Sequence, residues 1–600
     1  MFKFRWGKKS LMEKLVNRPF IKVFPIDKKD DVEQICNAVL EGYAYLNENY
    51  PNVKLEGVNI WLSDPFQDRT WRFWLHTLID VEVLVEGFEQ TGRRRYLDKA
   101  VAILLNWAKY NYPKSESNMA WHDHTTALRL IIICRLFENW KKEAWDDTIY
   151  DILIKLVNAH TERLLDPTFY LDKHNHGLDQ DISLYVAATV FDYVPEAKMW
   201  KETALQRFWK QMDHLFASDG SYREHSPAYT YVFIERLLHF AHFIRDRDKE
   251  HFQRLYDSIK HQIRYLTYVL QPDGHIPPLG DSISQPIKLE KLDQPPQKEF
   301  AALQYVATRG GTGEAPDELD AFFPEGGYAI FRNQWLFNAE TMQVVFSSGF
   351  HSRVHKHHDD LSFTLFGHKQ PLLIDAGQYK FDYDSLQRKF VVSTRAHNTV
   401  TVDGMDTVVS RLNIGKSGLT DFYSEEEWLG FAAGAHCLYP GVIHRRLVIV
   451  LKPFEIIVVD WIKGFKEHIF EQHFNFAPHL TCQGDNLRVQ GFKDGREMIT
   501  LTPLINQEQM RLILVKGEKD PWRGWSSPNY GELTPVWTAG YIFKGKEGRL
   551  ATRISVRPDY KQLVDFQWYN DNIQLAVKDS SGTMHRLDVI IGARPCYLAV

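Results

Sequence analysis

Histidines, carboxylates and tyrosines gather at three places in this chain, in groupings suited to proton transfer and to divalent-metal ligation. The first is Lys173-His174-Asn175-His176-Gly177-Leu178-Asp179, just ahead of a helical block that begins near Asp179. There Asn175 and His176 can donate hydrogen bonds to an anion near a helix N-terminus, although Asn and Asp at such a place serve equally well as backbone caps. The second is Asp219-Gly220-Ser221-Tyr222-Arg223-Glu224-His225-Ser226-Pro227-Ala228-Tyr229, a turn running into a helix. Pro227 marks the helix start and puts Tyr229 in the first turn, four residues from His225 and on its face if both are helical. A core tyrosine is the plain alternative. The third is His351 followed by His355-Lys356-His357-His358-Asp359-Asp360-Leu361-Ser362-Phe363. On a strand, His355 and His357 point to the same face. With Asp375 and His397 downstream, two imidazoles and a carboxylate from three strand ends suit a divalent ion. An HxH pair alone is a weak signal; the density of this cluster gives it weight.

Two kinds of segment must position these groups. From about residue 30 to 270, apolar residues recur at helical spacing: Trp71, Trp74, Leu75, Leu78 and Ile79, then Ala100, Ile103, Leu104 and Trp107. Further helical blocks cover Thr125–Trp140, Trp145–Leu164, Asp179–Val194, Trp200–Phe216, Tyr229–Arg245 and His251–Leu270. Short links such as Asp219-Gly220-Ser221 separate them, which predicts antiparallel helical neighbours in a toroid or solenoid. After Arg309-Gly310-Gly311-Thr312-Gly313 the period changes to two, as in Leu361–Leu365 and Thr399–Val402. Leu447–Leu451 and Glu455–Trp461, hinged at Lys452-Pro453, read as a strand pair. Helices followed by strands predict a multidomain α+β chain: a helical domain over 1–308, a linker over 309–324 and an antiparallel β-sandwich over 325–600.

Composition narrows the function. The chain has 600 residues, 44% hydrophobic and 25% charged, with a formal net charge of −5. Length asks for more than one core, and the charge gives no global basic field for nucleic acid. The densest basic run is only Arg93-Arg94-Arg95. No phosphate loop, dinucleotide fingerprint or nucleophile elbow stands in a convincing setting. Seventeen Trp and 14% aromatic residues give a mild vote for sugar stacking. Five scattered cysteines make neither a disulfide framework nor a thiolate zinc site. No apolar run reaches about 18 residues, the length a membrane helix needs; Leu130–Phe137 is broken by Arg135. The basic start, Met1 to Lys9, lacks an apolar core behind it, so no signal peptide is expected. Cytoplasmic placement is the expectation, or periplasmic or secreted if a leader has been removed.

Together the clusters resemble the heparinase II/III-like polysaccharide lyases, a family that includes oligoalginate lyases. The resemblance runs from about Trp61 to the Asp460 region. It rests on Trp61-Leu62-Ser63-Asp64-Pro65 with Arg69-Thr70-Trp71, on Trp121-His122-Asp123-His124 with Arg129, and above all on His355 to Phe363, Ile374-Asp375-Ala376-Gly377 and His397-Asn398-Thr399-Val400. It implies an incomplete (α/α) toroid followed by an antiparallel β-sandwich, and cleavage of uronate polysaccharides by β-elimination. Asn175 and His176 match the pair that neutralises the uronate carboxylate, where charge develops. Tyr229 matches the proton donor to the leaving 4-oxygen, which for one stereochemistry is also the base. His355 matches the histidine base or a substrate-orienting group. His357, Asp375 and His397 match ligands of one metal ion, usually structural: zinc is favoured, with manganese or calcium as alternatives. Trp121, His122, His124, Arg129, Asp179, Glu224 and His225 are candidate substrate contacts, Asp179 also orienting His176. Lys356 and His358 replace commoner small residues, which suggests an altered cleft entrance. A phenol titrates near 10, so Tyr229 acts as a base only with cations or donors beside it; His225, Arg223 and His355 are candidates.

The expected partner is an acidic polysaccharide, with no nucleic acid or membrane, and homo-oligomerisation is left open. Glycosaminoglycans of hyaluronan, chondroitin or heparan type come first and alginate oligouronides second; a pI of about 6.6 gives no sign of a protein-wide adaptation to densely sulfated heparin, and neither charge balance nor spacing decides among the glycosaminoglycan types. A glycoside hydrolase on the same scaffold would need two carboxylates across a cleft, for which Glu224, Asp179 and Asp219 are available. A non-catalytic polysaccharide-binding protein is the remaining alternative.

Overall fold

The structure is a computed structural model and describes residues 20–23, 31–46, 50–143, 146–425, 427–505, 507–557, 559–579, 581–590 and 597–599. The basic N-terminal run and Cys596 lie outside the described residues. The fold is α+β, in two compact units. One holds the described residues up to Leu215 with Glu235–Tyr256 and Glu290–Asp293; the other holds Phe216–Ile234, Asp257–Leu289 and the described residues from Gln294 onward.

The first unit is helical: α1 (Val32–Leu40), α2 (Arg69–Thr77), α3 (Ile79–Thr91), α4 (Arg94–Asn111), α5 (Asp123–Glu143), α6 (Asp147–Leu165), α7 (Asn175–Val190) and α8 (Ala197–Leu215). Helices α9 (Pro227–Ile244) and α10 (Lys249–Val269) contribute residues to both units. The apolar run Trp71–Ile79, continuous in sequence, is broken at Leu78, whose φ of 70° ends α2 and starts α3. Periodicity misses this because the side chains keep their buried side across the break. Helix α5 is buried without interruption from Thr125 to Phe137, so it lacks a polar face. Arg135 within that run is answered by Glu82 and Glu89 (3.4 Å and 2.5 Å). No helix among the described residues is long and apolar enough to cross a membrane.

Helix α7 begins at Asn175, four residues earlier than its apolar pattern predicts. The His174 Nδ1 atom accepts from the His176 N–H at 3.1 Å and so caps the first turn. Gly177 allows a close approach, since a Cβ there would lie 2.0 Å from the Leu171 carbonyl. Asn175 and His176 therefore sit on the first turn itself and not in a preceding loop.

In the second unit, α11 (Gln297–Ala307) precedes the strands. A five-stranded antiparallel sheet runs in sequence order through β1 (Ala321–Phe323), β2 (Tyr328–Arg332), β3 (Gln343–Ser347), β4 (Ser362–Gly367) and β5 (Gln370–Leu373). A ten-stranded sheet is built from β6 (Val400–Val402), β7 (Ser417–Glu425), β8 (Leu429–Tyr439), β9 (Val442–Leu451), β10 (Glu455–Asn475), β11 (Thr481–Asp485), β12 (Arg488–Lys493), β13 (Arg496–Pro503), β14 (Arg511–Lys516) and β15 (Trp537–Ser555). Its order is β7-β8-β9-β10-β15-β13-β12-β11, with β6 on β10 and β14 on β15. A four-stranded sheet spanning Leu563 to Ala599 follows. The expected strand pair is β9 and β10, in register Leu451↔Glu455. Along β9, Val448 and Val450 join a core shared with Phe331, Val344, Phe346 and Leu365, whereas Leu447, Ile449 and Leu451 join one shared with Ile573, Leu575 and Val589. The period of two thus serves two cores, and the strand reads as an unbroken apolar run. Burying one such side chain is worth roughly 1.5–3 kcal/mol. Of the cysteines, Cys36, Cys134 and Cys482 are buried, Cys437 is exposed, and all four are free thiols.

Candidate active site

The helical unit gathers the first cluster at the N-termini of α5 and α7. His176 Nδ1 donates to Asp123 Oδ1 at 2.9 Å, and its ring stacks on His124 at 4.1 Å. His124 Nε2 in turn donates to Asp179 Oδ2 at 2.7 Å, and Arg236 reaches Asp179 Oδ1 at 2.7 Å. Asp123, not Asp179, therefore orients His176, and Asp179 orients His124. Neither Asp123 nor Arg236 stood among the expected site residues. Asp123 lay inside a quoted motif, whereas nothing in the sequence tied Arg236 to Asp179. Burial alone would raise the Asp179 carboxyl; the Arg236 charge and the His124 hydrogen bond overcome it and leave Asp179 below the usual range. Burial, reinforced by His124, holds the His176 imidazole below its ordinary value against the pull of Asp123. The Asn175 Oδ1 atom is buried without a hydrogen-bond partner, so the residue keeps capacity for a ligand. His122 pairs with Arg69 at 2.9 Å.

The strand-rich unit gathers the second and third clusters. Tyr229 lies in the first turn of α9, and its ring stacks on His355 at 4.2 Å with a 30° tilt. His355 Nδ1 donates to Asp281 Oδ2 at 3.0 Å, and its Nε2 lies 3.7 Å from Glu224 Oε2. The Tyr222 hydroxyl donates to that same Glu224 oxygen at 2.5 Å. His357 Nε2 donates to the other Asp281 oxygen at 2.9 Å, and Arg388 bonds both oxygens at 2.5 Å and 3.0 Å. The segment around His355 and His357 is not a strand, and His355 has a φ of 56°. The two imidazoles converge because one carboxylate holds both, not because a pleat aligns them. Asp281 and Arg388 were invisible as site residues, being a lone Asp in a Gly/Ser loop and a lone Arg in a short helix (α12, Leu386–Val391). Burial would raise the Asp281 carboxyl, but bonds from His355, His357 and Arg388 drive it far below the usual range. Burial, then the charges of Asp281 and Glu224, push the Tyr229 phenol well above its ordinary value. The phenol thus holds its proton tightly.

His357, Asp375 and His397 form a buried group whose ligand atoms lie within 4.8 Å of one another. His397 Nδ1 donates to Asp375 Oδ2 at 2.7 Å. The other ring nitrogen of His397, Nε2, and Nδ1 of His357 are buried without hydrogen-bond partners. An unmet buried nitrogen is costly, and a cation shared between the two would satisfy both. The donor set fits a divalent metal ion.

Other expected residues are held by contacts within the protein. Arg129 is fully buried and donates to His160 Nε2, the His76 carbonyl and the Ala120 carbonyl, with its guanidinium 4.0 Å over Trp107. It is committed to the helix packing and offers no free donor face. Trp121 donates to the Asn111 carbonyl at 2.7 Å and carries Arg163 over its ring. Lys356 is buried in ion pairs with Asp359 and Asp360, and His358 bonds Thr407 at 3.1 Å. Of these two departures from the family pattern, Lys356 is buried and His358 half-buried. His225 precedes α9 with a φ of 65° and bonds the Ser352 carbonyl at 3.1 Å, so it does not share a helical face with Tyr229. Arg223 lies 4.0 Å from Glu325.

A carboxylate-bound histidine stacked on a tyrosine, close to a His/Asp/His group, is an arrangement able to move a proton beside a set of metal donors. The chain belongs to the heparinase II/III-like family: residues 9–294 match the heparinase II/III N-terminus and residues 315–557 the heparinase II/III-like C-terminal region. It is 22% identical over 570 residues to a heparin-sulfate lyase of Pedobacter heparinus, covering 90% of this chain and 82% of that one. A heparin-sulfate lyase of Bacteroides stercoris is 24% identical over 518 residues, covering 80% and 76%. In fold, the chain is similar to a crystal structure of heparinase III, with a TM-score of 0.76 at 16% identity over 97% of this chain and 95% of that one.

Proposed function

We propose that the protein is a polysaccharide lyase that cleaves a uronate-containing glycosaminoglycan by β-elimination. The observation that carries this reading is the Tyr229–His355–Asp281 arrangement. The phenol is held protonated beside an imidazole whose Nδ1 is fixed on a carboxylate, leaving Nε2 to accept a proton. In the reaction, His355 Nε2 takes the C5 proton, the C4–C5 double bond forms, and the C4–O4 bond breaks as Tyr229 gives its proton to O4. Asn175 and His176 neutralise the uronate carboxylate, since its charge grows as the proton leaves. Family membership and the names of the relatives support glycosaminoglycan as the substrate class, with oligoalginate second. We read the helical part as an incomplete (α/α) toroid and the strand-rich part as a β-sandwich. His357, Asp375 and His397 would hold one divalent ion, zinc being favoured from its donors, and that ion would cross-link the segments carrying them.

The carboxylates available for hydrolysis are engaged otherwise. Asp179 is ion-paired with Arg236, Glu224 takes the Tyr222 hydroxyl, and Asp219 takes Ser221 and the Gly326 N–H. The test is a panel of hyaluronan, chondroitin, heparan-type chains and alginate oligouronides, followed by ultraviolet absorbance of the unsaturated uronate. New reducing ends without absorbance would mean hydrolysis. Binding with neither product would make the protein a non-catalytic polysaccharide binder.

A further inference from the structure

Asp281 is 2% exposed and touches both histidines of the HxH pair with different oxygens: Oδ2 with His355 Nδ1 at 3.0 Å and Oδ1 with His357 Nε2 at 2.9 Å. Arg388 clamps the same carboxylate through both terminal nitrogens and also donates to the Gln378 carbonyl at 2.6 Å. The backbone is fixed as well. Ser226 Oγ donates to the Asp281 carbonyl at 3.0 Å, and a Cβ on Gly280 would lie 2.5 Å from the His225 carbonyl. Neither oxygen of an ionised carboxylate can donate, so each imidazole must present an N–H to it. His355 then carries its proton on Nδ1 and His357 carries its proton on Nε2. In the neutral rings the lone pairs fall on opposite atoms. His355 Nε2 lies on the Glu224 side, at the edge of the ring that stacks on Tyr229, whereas His357 Nδ1 is the buried nitrogen without a partner in the His/Asp/His group.

We propose that Asp281, clamped by Arg388, is a positioning residue that sets opposite tautomers in His355 and His357, making the first a proton acceptor and the second a metal donor. The proposal rests on the lyase reading for the role of His355, but the tautomers themselves do not depend on any substrate. A carboxylate behind a ligating histidine commonly changes metal affinity 10–100-fold. Behind a catalytic histidine, exchange to the amide can cost about 10⁴-fold in turnover. Here one carboxylate does both.

The decisive measurement is the ¹⁵N imidazole spectrum of the full-length, metal-loaded protein, with signals assigned by their loss in His355→Gln and His357→Gln. The expected result is N–H at Nδ1 for His355 and at Nε2 for His357. The opposite tautomer in either ring overturns the proposal, whatever any variant does. In Asp281→Asn the amide offers one acceptor oxygen, so at least one histidine should change tautomer or exchange between forms. Turnover should fall at least 100-fold with KM within about threefold, and metal affinity should fall about tenfold or more. Arg388→Gln keeps both carboxylate oxygens and should keep both tautomers. Unchanged tautomers in Asp281→Asn, with or without lost activity, would reduce Asp281 to a structural ion-pair partner. Expected tautomers in a protein that cleaves no uronate polysaccharide would sink the lyase reading and leave the tautomer assignment standing.

Discussion

In the helical unit, two stacked imidazoles sit between two carboxylates in a line: Asp123, His176, His124, Asp179 and then Arg236. In the strand-rich unit they converge on one carboxylate, Asp281. The line is half open, with the His176 and His124 side chains 25% and 19% exposed. The hub is closed, with His357 at 0% and Asp281 at 1%. An open line keeps hydrogen-bonding capacity for a substrate anion and tolerates loss of one member. A closed hub has its geometry fixed in advance, so that loss of one member disturbs all. Binding and charge neutralisation suit the first arrangement, proton transfer and metal ligation the second.

The comparison is sharpest in turnover. Tyr229→Phe keeps the ring on His355 and removes the proton, so kcat should fall about 10³-fold or more while substrate binding persists. Activity near wild type would remove Tyr229 from the mechanism. Asn175→Ala and His176→Ala should each lower kcat about 10²-fold, with smaller changes in KM. If they raise only KM, the open line binds substrate without stabilising the intermediate. His357→Ala should lose the metal, whereas His355→Ala should keep it and lose activity. Chelation should lower Tm, because an ion at 100 times its Kd adds about 2.7 kcal/mol to folding. Protein purified without chelator yet holding no stoichiometric metal would defeat the metal site.

The sequence made the hub half legible. Its histidines stand in a dense run, and the family pattern picked out His355, His357, Asp375 and His397. What ties them together was hidden, because Asp281 lies 74 residues from His355 and 76 from His357, and Arg388 lies 107 residues from Asp281, so they form no local pattern. The same holds for Arg236 on Asp179. Arg129 misled for a related reason: a sequence shows the charge of an arginine but not the carbonyls that absorb its donors. Element types were readable from period, whereas the break at Leu78 and the start at Asn175 depended on φ and on a histidine cap.

Acid should separate buried from half-open carboxylates. Asp460 is fully buried, accepts both Arg446 bonds at 2.8 Å and takes His444 Nε2 at 2.6 Å. Burial would raise its carboxyl, but Arg446 and His444 hold it far below the usual range. Asp123 is likewise lowered, by His176 against burial, though its side chain is 22% exposed. For a depressed carboxyl, the contribution is present above the unfolded value near 3.9 and is lost as pH falls through the folded value. Stability should therefore decline below about pH 4. Asp460→Asn should cost about 3–5 kcal/mol at pH 7 by leaving Arg446 buried without its ion partner, and it should flatten the acid decline. Asp123→Asn should cost no more than about 1 kcal/mol. Urea denaturation midpoints between pH 3 and pH 7 check both, and equal costs would erase the distinction between closed and open clusters.

The smallest expected effect tests whether the closed hub also has an open side. Phe381 and Tyr383 are 40% and 68% exposed, on the segment between β5 and α12. The Phe381 ring lies 6.0 Å from His355 and 6.4 Å from Tyr383, and the Arg388 guanidinium lies 5.9 Å and 5.7 Å from the two rings. Solvent-facing rings beside the proposed base offer a face on which a sugar ring could stack, and such a contact would be worth about 1 kcal/mol. Phe381→Ala and Tyr383→Ala should therefore raise KM about fivefold each and leave kcat within about twofold, since stacking of this kind holds substrate and transition state alike. Phe381→Tyr should restore binding, because it keeps the ring face. If Phe381→Ala instead lowers kcat at unchanged KM, the ring steadies His355 or Arg388 from outside, and the hub is closed on that side as well.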